Sequence, residues 1–193
     1  FIVIEGALAG GHLGFKKEDL ENQTYQSLEE IFQEVEQVVE SFQLNIPIFV
    51  AGGIHQRSDV KHFFELGVDG VQVASRFIPT YECDASMKYK EAFLKAKKEE
   101  VGLVSSPVGM PGRAFQNTFV QKTKQEKVPI KKCYQCLTPC NLKTTPYCIS
   151  RALIEAVKGN LDEGLIFTGA YGYMQDHLMH VEEVIHELME DEK

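Results

Sequence analysis

The chain has 193 residues, of which 44% are hydrophobic and 25% are charged, and its net charge is −8 at pH 7. This composition is typical of a globular domain with a sizeable core, and the acidic balance argues against nucleic acid as a partner. No apolar run reaches the roughly 18 residues that span a bilayer, and no secretory signal opens the chain, so we expect no membrane partner. Five cysteines, an odd number, then favour reduced thiols and a cytoplasmic location.

The first predicted element is a buried strand, residues 1–4, which runs into glycines that surround His12. Parallel α/β proteins place their chemistry in loops at the C-terminal ends of strands, so His12 is a candidate general base. The alternative role, a polar residue that holds the glycine turn by hydrogen bonds, stays open. Because a buried parallel strand needs neighbours on both sides, we interpret the chain as the C-terminal piece of a longer protein rather than one that starts with an edge strand.

An amphipathic helix is predicted over residues 27–42, after a polar connector at residues 15–26. Ser27 followed three residues later by Glu30 indicates a capping box at its start. The predicted apolar stripe recurs at intervals of three and four residues. Its members are Leu28, Ile31, Phe32, Val35, Val38, Val39 and Phe42.

Two further strands, residues 46–54 and 70–75, flank a second helix that we expect to begin at Ser58 and to end at Gly67. The inward residues of this helix are predicted to be Val60, Phe63 and Phe64. Such a strand–helix–strand unit predicts two parallel strands, and the alternation of strands and helices predicts an α/β fold.

Paired small residues end these two strands, Gly52-Gly53 in one and Ala74-Ser75 in the other. Backbone N–H groups from two adjacent loops beside a helix N-terminus can hold a phosphate group, and Ser75 adds a hydroxyl. The alternative is that these residues only permit tight turns. We favour the phosphate site because both loops belong to one strand–helix–strand unit.

The rest of the chain combines predicted helices with irregular segments. Helices are expected at residues 83–97, 149–158 and 175–189. Residues 101–117, rich in Pro and Gly, are expected to form a loop, and residues 122–132 a basic connector. We therefore divide the chain into residues 1–100, with the sheet, and residues 101–193, a loop and helical appendage packed on it.

Four cysteines, Cys133, Cys136, Cys140 and Cys148, follow the spacing C-x2-C-x3-C-x7-C. Four thiolates this close in sequence can hold zinc or an iron–sulfur cluster. The spacing matches neither the paired C-x2-C of zinc ribbons nor a ferredoxin run, and Cys148 borders an apolar helix where an inert thiol is common. Metal binding is left open.

Arg113 follows the Pro/Gly-rich stretch and could face an anionic substrate. The sequence favours the other interpretation, that its five N–H donors brace nearby backbone carbonyls. The histidines other than His12 show no spacing that suggests a ligand set.

With these residues identified, the chain resembles the nitronate monooxygenase family, which includes 2-nitropropane dioxygenases and the flavin-dependent enoyl-acyl-carrier-protein reductase II. Five segments carry the resemblance and cover nearly the whole chain: residues 5–14, 46–54, 70–77, 106–113 and 164–169.

The resemblance implies the last three β/α units of a TIM (β/α)8 barrel that binds flavin mononucleotide (FMN), with a C-terminal helical cap and Phe1 on the sixth strand. His12 would be the catalytic base or a substrate contact. One departure is Ala74-Ser75, where many members have Gly-Thr, although the serine keeps the hydroxyl. The implied cofactor-binding residues are Ala9, Gly10, Ala51, Gly52, Gly53, Ala74 and Ser75.

The resemblance implies an FMN-dependent oxidoreductase that oxidises alkyl nitronates with dioxygen. One alternative is an enoyl-acyl-carrier-protein reductase that uses FMN and NAD(P)H, and another is an inactive fragment or a phosphate-ligand binding module. The expected partners are a small-molecule substrate and a second copy of the chain in a homodimer.

Overall fold

The structure is a computed structural model that describes residues 1–138 and 140–190. The strands are β1 (Ile2–Glu5), β2 (Gly11–His12), β3 (Ile48–Ala51), β4 (Gly70–Gln72), β5 (Val101–Ser105) and β6 (Pro111–Phe115). The helices are α1 (Lys17–Asn22), α2 (Leu28–Ser41), α3 (Arg57–Leu66), α4 (Met87–Lys95), α5 (Thr118–Gln125), α6 (Ile149–Val157) and α7 (Val181–Met189).

A parallel sheet in the order β1-β3-β4 forms the centre of the N-terminal section. Ile4, Ile48 and Val50 pack on the apolar side of α2, where Phe32 is almost fully buried. The three parallel strands agree with the α/β prediction. Their carboxyl ends lie at one edge of the sheet, which brings the loops after β1, β3 and β4 together.

A second sheet, antiparallel and in the order β2-β6-β5, was not predicted. The expected loop at residues 101–117 is instead a hairpin, because Val101–Ser105 and Pro111–Phe115 pair along their full length. Its glycines do not break the strands, and Gly109 at φ +86° lies in the turn. His12 of β2 pairs with Gly112 of β6, so this sheet joins the two proposed sections of the chain.

The first amphipathic helix agrees with the sequence at its start. Ser27 caps α2 in a complete capping box, in which the Ser27 N–H donates to Glu30 at 2.7 Å and the Glu30 N–H donates to Ser27 Oγ at 3.1 Å. Two members of the predicted stripe do not face the core, however, because Val38 and Phe42 are exposed, while Val39 is buried.

Helix α3 begins one residue before the predicted cap and ends at the predicted Gly67. Ser58 lies inside the helix, because the N-cap is Gln56, and Asp59 at the third helical position accepts the N–H groups of His55 and Gln56. The prediction that Phe64 faces inward was wrong, since its side chain is 42% exposed.

The remaining helices are shorter than predicted or shifted. Helix α4 begins only at Met87, where the Ser86 side chain accepts the N–H of Tyr89, and α7 begins only at Val181. The basic connector begins inside a helix, because α5 extends to Gln125. Helix α7 packs back on α3, so the C-terminal helix covers the parallel sheet unit.

Candidate functional site

One cavity of about 340 Å³ lies at the carboxyl ends of the parallel strands. Every residue that the sequence suggested for cofactor binding lines this cavity: Ala9, Gly10, Ala51, Gly52, Gly53, Ala74 and Ser75. Its volume lies within the range of small-molecule sites, about 300–1,000 Å³. The loops after β1, β3 and β4 therefore meet around one space that could hold an organic ligand.

The turn after β3 forms one wall of this cavity. Gly52 and Gly53 adopt φ values of +94° and +78°, and a Cβ added at Gly52 would lie 2.8 Å from the backbone nitrogen of Ala9. Within the described residues, the N–H groups of Gly52, Gly53 and Ala74 donate no backbone hydrogen bond outside the strand ladders. Successive free amide groups in such a turn form a concave site for an anion.

The N-terminus of α3 contributes less to this anion site than the sequence suggested. Both N–H groups that precede the helix, those of His55 and Gln56, donate to Asp59 at 2.9 Å. The acidic side chain thus occupies amides that a phosphate would otherwise use. Any anion site here depends on the turns at Gly52 and Ala74 rather than on the helix.

A late segment, residues 168–170, closes the cavity on the side of Ser75. The Gly169 N–H donates to Ser75 Oγ at 2.9 Å, and the Ala170 N–H donates to the Leu8 carbonyl at 3.0 Å. The fit is tight, because a Cβ at Gly10 would lie 2.6 Å from the Gly169 nitrogen. The sequence marked residues 164–169 only by resemblance and gave them no place in the site.

His12 lies beside the cavity rather than on its wall. Its ring packs edge-on against Phe167, which lines the cavity, with 4.9 Å between ring centroids. His12 Nε2 and Ser106 Oγ are hydrogen-bonded at 2.7 Å. Partial burial lowers the pKa of His12, so the imidazole is neutral at pH 7 and able to accept a proton.

Arg113 takes the bracing role that the sequence favoured. Its guanidinium donates to the carbonyls of Ala7 and Ala9, at 2.5 and 2.7 Å, and burial lowers its pKa. The Leu13 N–H also donates to the Pro111 carbonyl at 2.8 Å. The glycine-rich loop is therefore held against β6, which positions His12 and the cavity wall together.

Sequence reasoning missed His55, a buried residue that lines the cavity. Burial and the nearby Arg76 charge lower the pKa of His55 to about 4, so it is neutral at pH 7. Arg76 itself is buried and donates to Gln175 and Glu187, and its Nε has no partner within the described residues. The histidine falls in no sequence motif, and its position follows from the packing of α3 against α7.

The four clustered cysteines line a separate cavity of about 320 Å³. In residues 1–138 and 140–190, no three His, Cys, Asp or Glu side chains are grouped closely enough to hold a metal ion. None of the helices in this part of the chain has the length and apolar character needed to cross a membrane.

Comparisons with known proteins identify relatives of this chain. The "Probable nitronate monooxygenase" of Staphylococcus saprophyticus is 32% identical over 124 residues, which are 64% of this chain and 34% of that protein. The Bacillus subtilis protein of the same name is 28% identical over 125 residues, with the same coverage.

Solved structures share the fold. FabK from Thermotoga maritima aligns with a TM-score of 0.69 and 24% identity over 97% of this chain and 52% of that one. Nitroalkane oxidase from Streptomyces ansochromogenes aligns with a TM-score of 0.67 and 21% identity, over 96% and 50% of the two chains.

The chain thus spans about a third of the curated relatives and about half of these solved structures. The family model described as nitronate monooxygenase matches residues 1–191, nearly the whole sequence. The chain belongs to the nitronate monooxygenase family.

Proposed function

We propose that this chain forms the FMN-binding part of an oxidoreductase that oxidises alkyl nitronates, as the last three β/α units and helical cap of a (β/α)8 barrel. The observation that carries the proposal is the shared cavity, which Gly52, Gly53, Ala74 and Ser75 line together. Within the described residues, no backbone hydrogen bond outside the strand ladders uses the N–H groups of the first three. These groups suit the phosphate of FMN. Family membership supports the proposed chemistry.

The proposed reaction divides the work between cofactor and protein. Bound FMN would supply the redox chemistry, taking electrons from the nitronate and passing them to dioxygen. Ala9 and Gly10 would contact the cofactor from the loop that Arg113 holds in place. His12, kept neutral and hydrogen-bonded to Ser106, would remove the proton from a neutral nitroalkane to form the nitronate.

A comparison of two substrates tests the role of His12 in the full-length protein that contains this chain. A nitronate has already lost the proton, so His12→Asn should reduce turnover of the neutral nitroalkane by about 10²–10⁴-fold and turnover of the nitronate much less. His62→Asn, on the exposed face of α3, is the matched control and should change neither. Equal losses for both substrates with His12→Asn would contradict a role as base.

Anaerobic titration of the bound flavin tests the function itself. We expect the protein to bind FMN stoichiometrically and the flavin to be reduced by an alkyl nitronate. Reduction by NADPH followed by oxidation with an enoyl thioester would instead support the reductase alternative. A protein that binds no flavin would be a binding module or an inactive fragment, and the proposal would fail.

A further inference from the structure

We propose that Cys133, Cys136, Cys140 and Cys148 bind a metal centre through their thiolates, next to the His12 side of the candidate site. All four cysteines line the same cavity, whereas the fifth, Cys83, lies elsewhere. Cys133 and Cys136 are exposed, and Cys140 and Cys148 are half-buried, so an incoming metal can reach them. Soft metals such as zinc and the iron of iron–sulfur clusters prefer such a set of thiolates.

The segment that carries the cysteines is a long irregular connection. Residues 126–148 connect α5 to α6, and their described part contains no helix or strand. Such long irregular connections are uncommon in compact domains. Hydrogen bonds join the two ends, from the Val128 N–H to the Pro146 carbonyl and from Lys127 to the carbonyls of Leu142 and Lys143. A metal held by all four cysteines would tie the middle of the segment, at Cys133, Cys136 and Cys140, to its C-terminal end at Cys148.

The backbone around the first two cysteines favours metal-bound sulfur. Gln135 adopts φ +52°, and its N–H donates to Cys133 Sγ at 3.4 Å. This left-handed residue folds the C-x2-C stretch back on itself, and N–H donors to sulfur stabilise the charge of a coordinated thiolate.

The local charge complements such a centre. Residues 122–143 contain six lysines and one glutamate, in a chain whose net charge is −8. Four thiolates around a divalent ion leave about two negative charges. The positive charge of the lysines would offset this negative charge. A bound centre of this kind would therefore explain a basic segment in an otherwise acidic protein.

The sulfur atoms do not yet converge, since no metal-holding group is present among the described residues. Binding therefore requires that the segment close around the metal, with each thiol releasing its proton to solvent.

Two residues that line the cysteine cavity connect it to the neighbourhood of His12. Pro107 lines it and follows Ser106, the hydrogen-bond partner of His12, and Tyr147 lines it and donates to the Ser105 carbonyl at 3.0 Å. Closure around a metal would thus fix the turn that positions Ser106.

Metal analysis of the full-length protein, purified without oxygen, tests the proposal. We expect either about one zinc per chain or about four irons with acid-labile sulfide, and the visible and EPR spectra distinguish the two. Cys133→Ser and Cys136→Ser should each lower the metal content at least severalfold. Cys83→Ser is the matched control and should retain it, and flavin content is measured separately in every variant.

A second measurement covers variants that fail to fold. In the wild-type protein, a chelator that removes the metal should increase hydrogen exchange within residues 126–148 and leave the parallel sheet unchanged. Wild-type protein with metal far below one atom per chain, or with disulfides between these cysteines, would overturn the proposal.

Discussion

Gly52 shows how a single residue constrains the candidate site. Its φ is +94°, and a Cβ at this position would approach the Ala9 nitrogen to 2.8 Å, which leaves no room for a side chain. Only glycine adopts this conformation without cost while the loops after β1 and β3 touch. A sequence motif can suggest such a position, but the contact that requires glycine belongs to the tertiary structure.

We therefore predict that Gly52→Ala weakens the proposed FMN binding by about tenfold or more, because the loop after β1 must move away from the cavity. Gly109→Ala is the control, since Gly109 has a similar φ of +86° but open space around it. It should cost about 1–2 kcal/mol of stability and leave FMN affinity unchanged. Equal losses of affinity in the two variants, measured by flavin fluorescence titration, would assign the effect to backbone strain alone.

The buried histidine His55 predicts a loss of stability in acid. Its pKa is about 4 in the folded protein, below its ordinary value of 6.5. The unfolded chain therefore binds a proton that the folded chain excludes as the pH falls from 6.5 towards 4, and the free energy of unfolding decreases in this window.

Urea unfolding of the full-length protein measures this effect. Between pH 7 and about pH 4.5, the wild type should lose about 2 kcal/mol more than His55→Gln. His186→Gln, on the exposed side of α7, should lose as much as the wild type. A wild type and a His55→Gln variant with the same pH dependence would show that His55 protonates freely in the folded state.

At the scale of elements, local signals predicted some features and missed others. Ser27 and Glu30 indicated the start of α2 because a capping box is completed within four residues. The start of α3 was misjudged because Ser58 is a favoured capping residue, whereas the N-cap in the structure is Gln56, and Asp59 at the third helical position accepts the amides before the helix.

The hairpin β5–β6 was missed because its glycines resemble those of a loop. Gly102 and Gly112 lie within paired strands, where close neighbours, Gln116 and Phe167, take the space of a side chain. Cross-strand pairing and the additional pairing of β6 with β2 stabilise these strands despite their low intrinsic propensity. The pairing with β2 is long-range in sequence and leaves no local pattern.

At the scale of the whole molecule, the parallel sheet has an open edge. Strand β1 pairs with β3 on one side, and no other strand of the described residues pairs with its second side. Val3 on this strand and Phe1 just before it are 39% and 83% exposed. An apolar strand edge of this kind pairs readily with another chain.

The isolated 193-residue chain should therefore self-associate and sediment above its monomer mass of 21.8 kDa. Val3→Lys places a charge on the open edge and should shift the population towards the monomer. Val38→Lys, which replaces another exposed valine, on α2, should have a smaller effect. A wild-type chain that sediments as a monomer would contradict this prediction.

The features that depend on neighbouring residues could be derived from the order of amino acids: the α/β alternation, the capped helix α2 and the glycine turns at the strand ends. Long-range packing was needed to establish which of these turns share a cavity, that Gly169 reaches Ser75, and that His12 meets Ser106 across 94 residues of chain. Local motifs succeed because their hydrogen bonds form within one turn of the backbone. The site depends on contacts between distant segments, whose partners are selected only when the apolar faces of α2, α3 and α7 pack around the sheet.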